Sequence, residues 1–390
     1  MDQSNIPQLR FSNINEKWSK KSFEEIFDFK NGYNPPVGDY GIGIKYINVL
    51  DIINNNFIFY DKILGLAKAD ELIKNKFSVK YGDILFQRSS ETREEVGQAN
   101  VYIDKVENAI FGGFVIRGRP KIEINSIFIN YALKTQNVRK DITSMSGGST
   151  RYNIGQDSLN KIYLSIPDKK EQQKIASFLS SVDSKIEKLT RKKELLEEYK
   201  KGVMQKIFSQ EIRFKDDDGN DYPNWEDKRL GELSKINTGE SNKVDAKPNG
   251  KFRFFDRSGD ILMSNKFLFD CEALIVPGEG AEFLPKYFTG KFDLHQRAYT
   301  IHSFKGLVCK YLNYYMTYYK NYLIKYAVGS TVKSLRLPIF EKMIIFLPSL
   351  TEQEKIASFL SSVDSKVESV SSQIDKTKEF KKGLLQQMFV

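Results

Sequence analysis

Few residues of the chemically reactive types occur in this chain. Its 390 residues include two cysteines, two histidines and two tryptophans. Cys271 and Cys309 are far apart and form no CxxC pair, which argues against a disulfide framework and for a reducing compartment. His295 and His302 form no metal-binding set with them. We therefore expect no resident metal.

Long hydrophobic runs are also missing. No apolar run approaches the ~20 residues of a membrane span, and the polar stretch Met1–Arg10 lacks the apolar region of a signal peptide, so we expect a cytoplasmic protein without membrane contact. A hydrophobic fraction of 40% over 390 residues is sufficient for two folded domains. The net charge of +10 fits a polyanionic partner such as DNA, although a lysine-rich proteome would give the same excess.

The motifs of the relevant enzymes are incomplete. Asn34-Pro-Pro-Val37 resembles an adenine methyltransferase loop but lacks the aromatic residue that stacks on a flipped base, and no Phe-x-Gly-x-Gly cofactor loop accompanies it. Gly278-Glu-Gly280 lacks the Lys-Ser/Thr of a phosphate-binding loop. Asp168 and Glu171 miss nuclease spacing, and capping of a helix start explains them better. We therefore expect no catalytic residues and no cofactor in this chain.

One segment of the chain occurs twice. Glu171–Glu187 returns 181 residues later as Glu352–Glu368, with fifteen of seventeen positions identical. The register continues to Tyr199-Lys-Lys-Gly202 and Phe380-Lys-Lys-Gly383, whereas the residues before the two copies hardly match. A duplicated part attached to two unlike parts predicts a symmetric frame that presents two different readers.

Weaker matches extend the repeat unit. Trp18 and Trp225 stand near the start of each unit and are predicted to be core anchors. Gly-Ser-Thr turns begin at Gly148 and Gly329, and each precedes an apolar run that ends in proline and predicts a strand. The unlike parts contain the β-type runs Asp83–Phe86, Ala109–Phe111, Phe114–Ile116, Ala273–Val276 and Ala298–Ile301, and the helical patches Ile127–Thr135 and Lys310–Tyr326. We predict two mixed α/β domains.

A heptad pattern runs through both copies of the repeat. The apolar a and d positions are Ile175, Leu179, Val182, Ile186, Leu189, Leu196, Val203, Ile356, Leu360, Val363, Val367, Val370, Ile374 and Leu384. Lys193, Lys200 and Lys381 interrupt the a positions, which restricts the register of pairing. The pattern predicts two long helices in an antiparallel coiled coil with pseudo-twofold symmetry; the alternative is an amphipathic helix lying on each domain. The predicted segments are 1–167 and 210–347 for the domains, and 168–209 and 348–390 for the helices.

These features together resemble the specificity subunit of type I restriction–modification enzymes. The duplicated pattern is Pro-x-x-x-Glu-Gln-x-x-Ile-x-x-Phe-Leu, which occurs here as Pro167 to Leu179 and as Pro348 to Leu360, and the Gly-Ser-Thr turns and the Gly82–Phe86 strand accompany it. Residues Glu272–Val276 replace that strand in the second half.

The resemblance implies a chain that makes no bond itself. Each unlike domain would be a target-recognition domain for one half of a bipartite, asymmetric DNA site. The helices would fix the half-site spacing and dock two methyltransferase subunits, and restriction subunits would carry the motor and the endonuclease. S-adenosylmethionine, ATP and Mg²⁺ would belong to those partner subunits.

Candidate DNA contacts are polar residues on glycine-broken loops beside strands. In the first domain they are Arg88, Ser89, Ser90, Arg93, Gln98, Ser149, Thr150, Arg151, Tyr152 and Asn153. In the second they are Lys286, Tyr287, Lys291, Arg297, Ser330, Thr331, Lys333, Ser334 and Arg336. For any one of them a solvated surface position is an equal alternative. Two rival functions remain at this point: a single-chain enzyme, and a coiled-coil adaptor that never touches nucleic acid.

Overall fold

The computed structural model describes residues 6–12, 14 and 16–390. The first five residues of the polar N-terminal stretch lie outside the described residues. The chain forms two compact units: Met1–Leu189 with Gln373–Val390 is unit 1, and Thr190–Ser372 is unit 2.

Unit 1 contains a four-stranded and a three-stranded sheet. The four-stranded sheet has the order β2-β9-β5-β7 and is antiparallel throughout; the three-stranded sheet has the order β4-β3-β8. The strands are β1 (Ser19–Ser22), β2 (Phe27–Asn31), β3 (Tyr40–Ile47), β4 (Leu66–Ala67), β5 (Ile84–Gln87), β6 (Ser89–Ser90), β7 (Ala99–Val101), β8 (Ala109–Phe111), β9 (Val115–Pro120), β10 (Tyr152–Asn153) and β11 (Tyr163–Ile166).

Short helices cover these sheets. They are α1 (Phe23–Ile26), α2 (Val49–Ile53), α3 (Glu71–Phe77), α4 (Ser126–Ala132), α5 (Gln136–Ser144) and α6 (Gln156–Asn160), with a 3-10 turn at Tyr60–Lys62. Asn125 caps α4, because its side chain accepts a hydrogen bond from the amide of Phe128 at 3.0 Å. Tyr131 on α4 is fully buried in the main core of the unit, which also contains Trp18 and Phe86.

Unit 2 is built on one six-stranded sheet with the order β13-β18-β16-β17-β14-β15. Its strands are β12 (Glu226–Arg229), β13 (Lys235–Thr238), β14 (Phe252–Phe255), β15 (Ile261–Ser264), β16 (Phe269–Pro277), β17 (Lys286–Leu294), β18 (Ala298–His302) and β19 (Ile344–Leu347). Its helices are α8 (Leu230–Leu233), α9 (Cys309–Tyr318), α10 (Lys320–Tyr326) and α11 (Leu337–Glu341), with a 3-10 turn at Lys243–Asp245. The predicted mixed α/β class is confirmed, although the two sheet arrangements differ.

A two-stranded ribbon joins the start and the end of each domain. In unit 1, β1 pairs antiparallel with β11, and in unit 2, β12 pairs antiparallel with β19. The later strand of each ribbon is the proline-terminated run predicted from the sequence. These ribbons bring the beginning of a domain to the helix that follows its end.

Two long helices follow these ribbons, and each contributes to both units. They are α7 (Lys169–Phe208, 40 residues) and α12 (Leu350–Gln387, 38 residues). In unit 2 the Nζ of Lys193 lies 3.4 Å from Ser371 Oγ, and the Nζ of Lys200 lies 2.5 Å from Asp364 Oδ1. Seven residues forward along α7 correspond to seven residues back along α12, so the helices are antiparallel there. The predicted a and d side chains are all buried or half-buried.

Candidate nucleic-acid interface

Glu171 anchors the start of the chain to the long helix of unit 1. Its carboxylate, 1% exposed, accepts hydrogen bonds from Nε and Nη2 of Arg10 at 2.7 Å each, and from Nε1 of Trp18 at 3.0 Å. The bond to Glu171 raises the pKa of Arg10. The sequence predicts that Asp168 and Glu171 cap the start of the helix. Asp168 does cap α7 through the amide of Glu171 at 2.9 Å, but the Glu171 side chain instead fixes the domain to the helix.

The neighbouring Gln172 fixes the domain a second time. Its Oε1 accepts a hydrogen bond from the main-chain amide of Asn125 at 2.9 Å, at the start of α4, and its Nε2 donates to the carbonyl of Pro167 at 2.8 Å. Both partners are main-chain groups. The contact is therefore independent of which side chains the attached domain carries.

Unit 2 repeats these contacts with the second copy of the sequence. Glu352 accepts from Nη2 of Arg213 at 2.7 Å and from Nε1 of Trp225 at 3.1 Å. Gln353 Oε1 accepts from the main-chain amide of Val308 at 2.8 Å, one residue before α9. We call the Glu171-Gln172 and Glu352-Gln353 pairs, with their partners, the sockets.

A tyrosine of each domain completes the attachment. Tyr131 donates its hydroxyl proton to Asp183 Oδ2 at 2.7 Å, and Lys381 on α12 donates to Asp183 Oδ1 at 2.6 Å. Burial first, and the bond to Asp183 after it, raise the pKa of Tyr131. The equivalent groups in unit 2 are Tyr314, Asp364 and Lys200, with distances of 2.7 Å and 2.5 Å to the carboxylate. Each tyrosine lies six residues after the amide held by the glutamine.

The Gly-Ser-Thr turns adopt the same structure in both units. Gly148 has φ +123° and Gly329 has φ +113°, and a Cβ would lie 2.0 Å from Arg151 O in the first turn and 2.3 Å from Val332 O in the second. Glycine is therefore required at both positions. Isolated bridges close the turns, between Gly147 and Asn153 in unit 1 and between Val328 and Ser334 in unit 2. Residues 149–151 and 330–333 are exposed on them.

In unit 1 this turn is joined to the other group of candidate contacts. Strand β10 pairs with β6, so that Tyr152 lies opposite Ser90 and Asn153 opposite Ser89. Arg88, Ser149, Thr150, Arg151 and Asn153 are exposed, and Ser89, Gln98 and Tyr152 are half-buried. Ser90 is buried and donates to Glu95 at 3.0 Å, and Arg93 is held by the carbonyl of Thr143 at 3.2 Å. The structure thus joins two sequence-distant candidate groups at one strand pair.

In unit 2 the candidates are divided between two places. Ser330, Thr331, Lys333 and Arg336 are exposed on or directly after the repeated turn, and Ser334 is half-buried there. Arg297 reaches that region, because it binds Glu279, which bridges Ser334. Along β17, however, Lys291 lies opposite Asp270, nine residues back from Glu279, and Tyr287 donates to Glu272 at 2.9 Å. Those two residues are not brought to the turn.

Sequence reasoning missed two residues beside this turn. Glu279 lies within Gly278-Glu-Gly280, whose pattern fails as a phosphate-binding loop and indicates no other site, and Arg257 lies far away in the chain. Arg257 Nη1 donates to Glu279 at 2.8 Å, and Arg297 Nη1 donates to both of its carboxylate oxygens, at 3.0 and 3.1 Å. No local pattern in the sequence indicates either residue. In the structure Glu279 lies opposite the turn of unit 2, as Ser89 does in unit 1.

Within residues 6–12, 14 and 16–390, no group of three or more His, Cys, Asp or Glu side chains is arranged to hold a metal ion. Over the same residues, none of the helices has the length and hydropathy needed to cross a bilayer.

Two unlike α/β domains on duplicated sockets define a class of protein in which different domains are attached by the same contacts to a repeated helical sequence. Comparison with known proteins gives the family. Residues 15–198 and 222–378 each match the type I restriction modification DNA specificity domain. The chain belongs to this family. It is a specificity subunit rather than the enzyme; specificity subunits of type I systems bind DNA and assemble with modification and restriction subunits.

Individual relatives agree with this assignment. The chain is similar to a putative type I restriction enzyme MjaX specificity subunit of Methanocaldococcus jannaschii, at 26% identity over 408 residues that cover 98% of this chain and 95% of the relative. It is also similar to the EcoDI specificity subunit of Escherichia coli, at 28% identity over 42% of this chain and 36% of the relative. Among solved structures, the S subunit of a type I system from M. genitalium has a TM-score of 0.63 at 17% identity, covering 99% of both chains.

Proposed function

We propose that the two domains read the two halves of one asymmetric DNA site, residues 1–167 one half and residues 210–347 the other. The observation that carries the proposal is the repeated turn. The sockets, the glycine geometry and the Ser-Thr pair of the turn are the same in both units. The side chains that follow the pair differ: Arg151, Tyr152 and Asn153 in unit 1, and Val332, Lys333 and Ser334 in unit 2. Identical attachment with different exposed polar groups is what two separate readers require.

A domain exchange tests the proposal. Residues 19–147 would be replaced by the corresponding segment of another specificity chain. Arg10, Trp18 and the Glu171-Gln172 pair are kept, and the new segment must supply the main-chain amide that Gln172 binds. The complex with methyltransferase subunits is then expressed in cells, and methylated adenines are mapped by sequencing. We expect one half of the recognised sequence to change and the other half to stay. A change in both halves, or in neither, contradicts separate reading.

The long helices are proposed to set the distance between the half-sites. One added heptad lengthens a helix by about 10.5 Å, which corresponds to about three base pairs of duplex. A heptad inserted into both α7 and α12 is expected to lengthen the spacer in the methylated sequence. Insertion into α7 alone misaligns the Lys–Asp pairs and is expected to abolish assembly, and an unchanged spacer in the double insertion excludes this role.

The same helices are proposed to dock two methyltransferase subunits. Tyr199 and Phe380 occupy equivalent positions in the two copies and are 51% and 55% exposed. In unit 1, Phe380 borders a groove that is also lined with Val182 and Lys185. Exposed aromatic side chains are typical anchors of protein interfaces, and a patch that occurs twice suits two copies of one partner.

The rival functions have direct tests. An adaptor without nucleic-acid contact predicts no duplex binding by the assembled complex, whereas phosphate contacts predict affinity that falls steeply with salt. An enzyme predicts methyl transfer or cleavage by the purified chain alone. We expect duplex binding with a steep salt dependence, and no turnover without the partner subunits.

A further inference from the structure

Three side chains beside the second Gly-Ser-Thr turn form one ionic cluster. The carboxylate of Glu279 is 16% exposed and accepts hydrogen bonds from Arg257 and Arg297, whose side chains are 55% and 56% exposed. Burial alone would raise the pKa of Glu279, but the bonds from Arg297 and Arg257 outweigh it and lower that pKa, so the group is ionised at neutral pH. Two half-exposed arginines are thus held by one ionised carboxylate.

The turn that carries Arg257 is held by side-chain bonds. Asp256 Oδ1 accepts the amide proton of Ser258 at 2.7 Å and its hydroxyl proton at 2.5 Å. Lys286 crosses from β17 and donates to the carbonyls of Ser258 and Gly259, each at 2.9 Å. Lys286, a candidate DNA contact, is thereby engaged in supporting this turn.

The turn that carries Arg297 is fixed in a comparable way. The amide of Arg297 donates to Nδ1 of His295 at 3.0 Å, and its carbonyl accepts from the amide of Gly278 at 2.9 Å. Burial lowers the pKa of His295, which keeps its ring an acceptor at neutral pH. The backbone at both arginines is therefore fixed, so each side chain extends into solvent from a defined position.

The described bonds to Glu279 use only Nη1 of each arginine. Among the residues that the structure describes, Nε and Nη2 of Arg257 and Arg297 make no hydrogen bond to protein. These are the donors that an arginine needs to bind a guanine through O6 and N7 at once. An arginine that a carboxylate already orients also loses less conformational freedom on binding.

We propose that Arg257 and Arg297 each read the guanine of a G·C base pair in the major groove of the second half-site, with Glu279 positioning both. The inference rests on the proposed function of unit 2 as a DNA reader. A phosphate is a poorer ligand for this cluster, because the Glu279 carboxylate repels it. A G·C pair suits it better, since guanine supplies two acceptors for arginine and cytosine supplies an amino donor that a carboxylate accepts.

The place of the cluster supports the assignment. Glu279 bridges Ser334 in the turn of unit 2, as Ser89 pairs with Asn153 in unit 1. Lys333 and Arg336 are exposed and lie on either side of Ser334 in the chain. They provide cations for the phosphates on either side of a base contact.

The experiment uses the complex of the full chain with its methyltransferase subunits. The recognised sequence is first mapped as methylated adenines, and its second half is the one that the 19–147 exchange leaves unchanged. Duplexes with each G·C pair of that half replaced by A·T, and a scrambled duplex, are then bound by wild type and by Arg257→Gln, Arg297→Gln and Glu279→Gln. Lys325→Gln, an exposed lysine on α10, is the control for loss of one positive charge.

We expect Arg297→Gln or Arg257→Gln to weaken binding of the cognate duplex roughly 5- to 150-fold, which is the range of one bidentate arginine–guanine contact. On the scrambled duplex the loss should equal that of Lys325→Gln. Each arginine variant should also lose its preference at one G·C position. Glu279→Gln should weaken the base preference at the same G·C positions without lowering the urea midpoint of unfolding. This outcome separates a positioning role of Glu279 from a general structural role.

Three results overturn the inference: equal losses on cognate and scrambled duplexes, a second half-site without a G·C pair, or a relaxed position in the first half-site. If the wild-type complex itself shows no sequence preference, the proposed function fails together with this inference. If the preference is present and the arginine variants keep it, only this inference fails.

Discussion

The repeated ion pair between α7 and α12 allows a prediction with an internal control. Asp183 and Lys381 are 8% and 17% exposed, whereas their equivalents Asp364 and Lys200 are 43% and 24% exposed. The residue types and the contacts within the pairs are the same. The pairs differ in solvation and in the nearby Lys134, which interacts with Lys381 and Asp183 in unit 1. A pair shielded from water is screened less, and we expect a coupling energy of about 2 kcal/mol for Asp183–Lys381 and about 0.5 kcal/mol for Asp364–Lys200.

The measurement is a double-mutant cycle with alanine at each position of both pairs. Asp183→Ala alone should lower the free energy of unfolding by about 3 kcal/mol, because it leaves Lys381 and the Tyr131 hydroxyl without their acceptor. Trp18 lies in unit 1 and Trp225 in unit 2, so each unit has its own fluorescence reporter once the other tryptophan is replaced by phenylalanine. Urea unfolding then gives the free energy for each variant.

Two results of the double-mutant cycles would refute this reasoning. Equal coupling energies in the two pairs would show that solvation does not set the strength of this contact. A larger coupling for Asp364–Lys200 would contradict the reasoning outright. The coupling energy of Asp364–Lys200 also tests why a lysine occupies an a position of the heptad. A favourable coupling energy would offset the cost of placing a charge there.

Three further predictions concern other parts of the chain. Gly148→Ala should destabilise unit 1 by about 2 kcal/mol in urea unfolding, because its Cβ would meet Arg151 O, while Gly147→Ala, with open space around its Cβ, should change it by less than about 0.5 kcal/mol. Burial first, and Lys381 after it, lower the pKa of Lys134 from 10.5 to about 8. Between these values the unfolded chain binds more protons than the folded chain, so the free energy of unfolding should rise by about 1 kcal/mol from pH 7 to 9. The variant Lys134→Met should show no such rise. Phe380→Ser should reduce the methyltransferase subunits bound from two to one by native mass spectrometry, with the folding of the chain unchanged by circular dichroism; retention of both excludes this docking site.

Much of the frame followed from the sequence because its physics is local or repeated. Identical residues at a constant offset imply identical contacts, and a heptad pattern determines which side of a helix is buried. The strands before Pro167 and Pro348 were predicted for the same reason. The helical patch Lys310–Tyr326 was predicted as one element and is two, α9 and α10, which meet at Tyr319.

The site was less predictable because it depends on long-range pairing. That β6 meets β10, and that Glu279 lies opposite Ser334, depends on how the sheets pack and cannot be read from local patterns. Arg257 was missed since nothing near it in the chain indicates a partner. Lys291 and Tyr287 were candidates by composition alone, and their partners lie along β16 instead. Whether any candidate touches DNA stays a prediction.

The glutamines of the two sockets bind main-chain amides, a group that every residue except proline supplies. The long helices with Arg10 and Trp18 are therefore compatible with a foreign domain under two conditions. The domain must supply a main-chain amide at a helix start, and a tyrosine six residues after it. The rest of its surface is free to diverge. Sockets of this kind allow one domain to replace another without changes to the long helices. This suits a protein whose useful variation lies in the DNA sequence that it recognises.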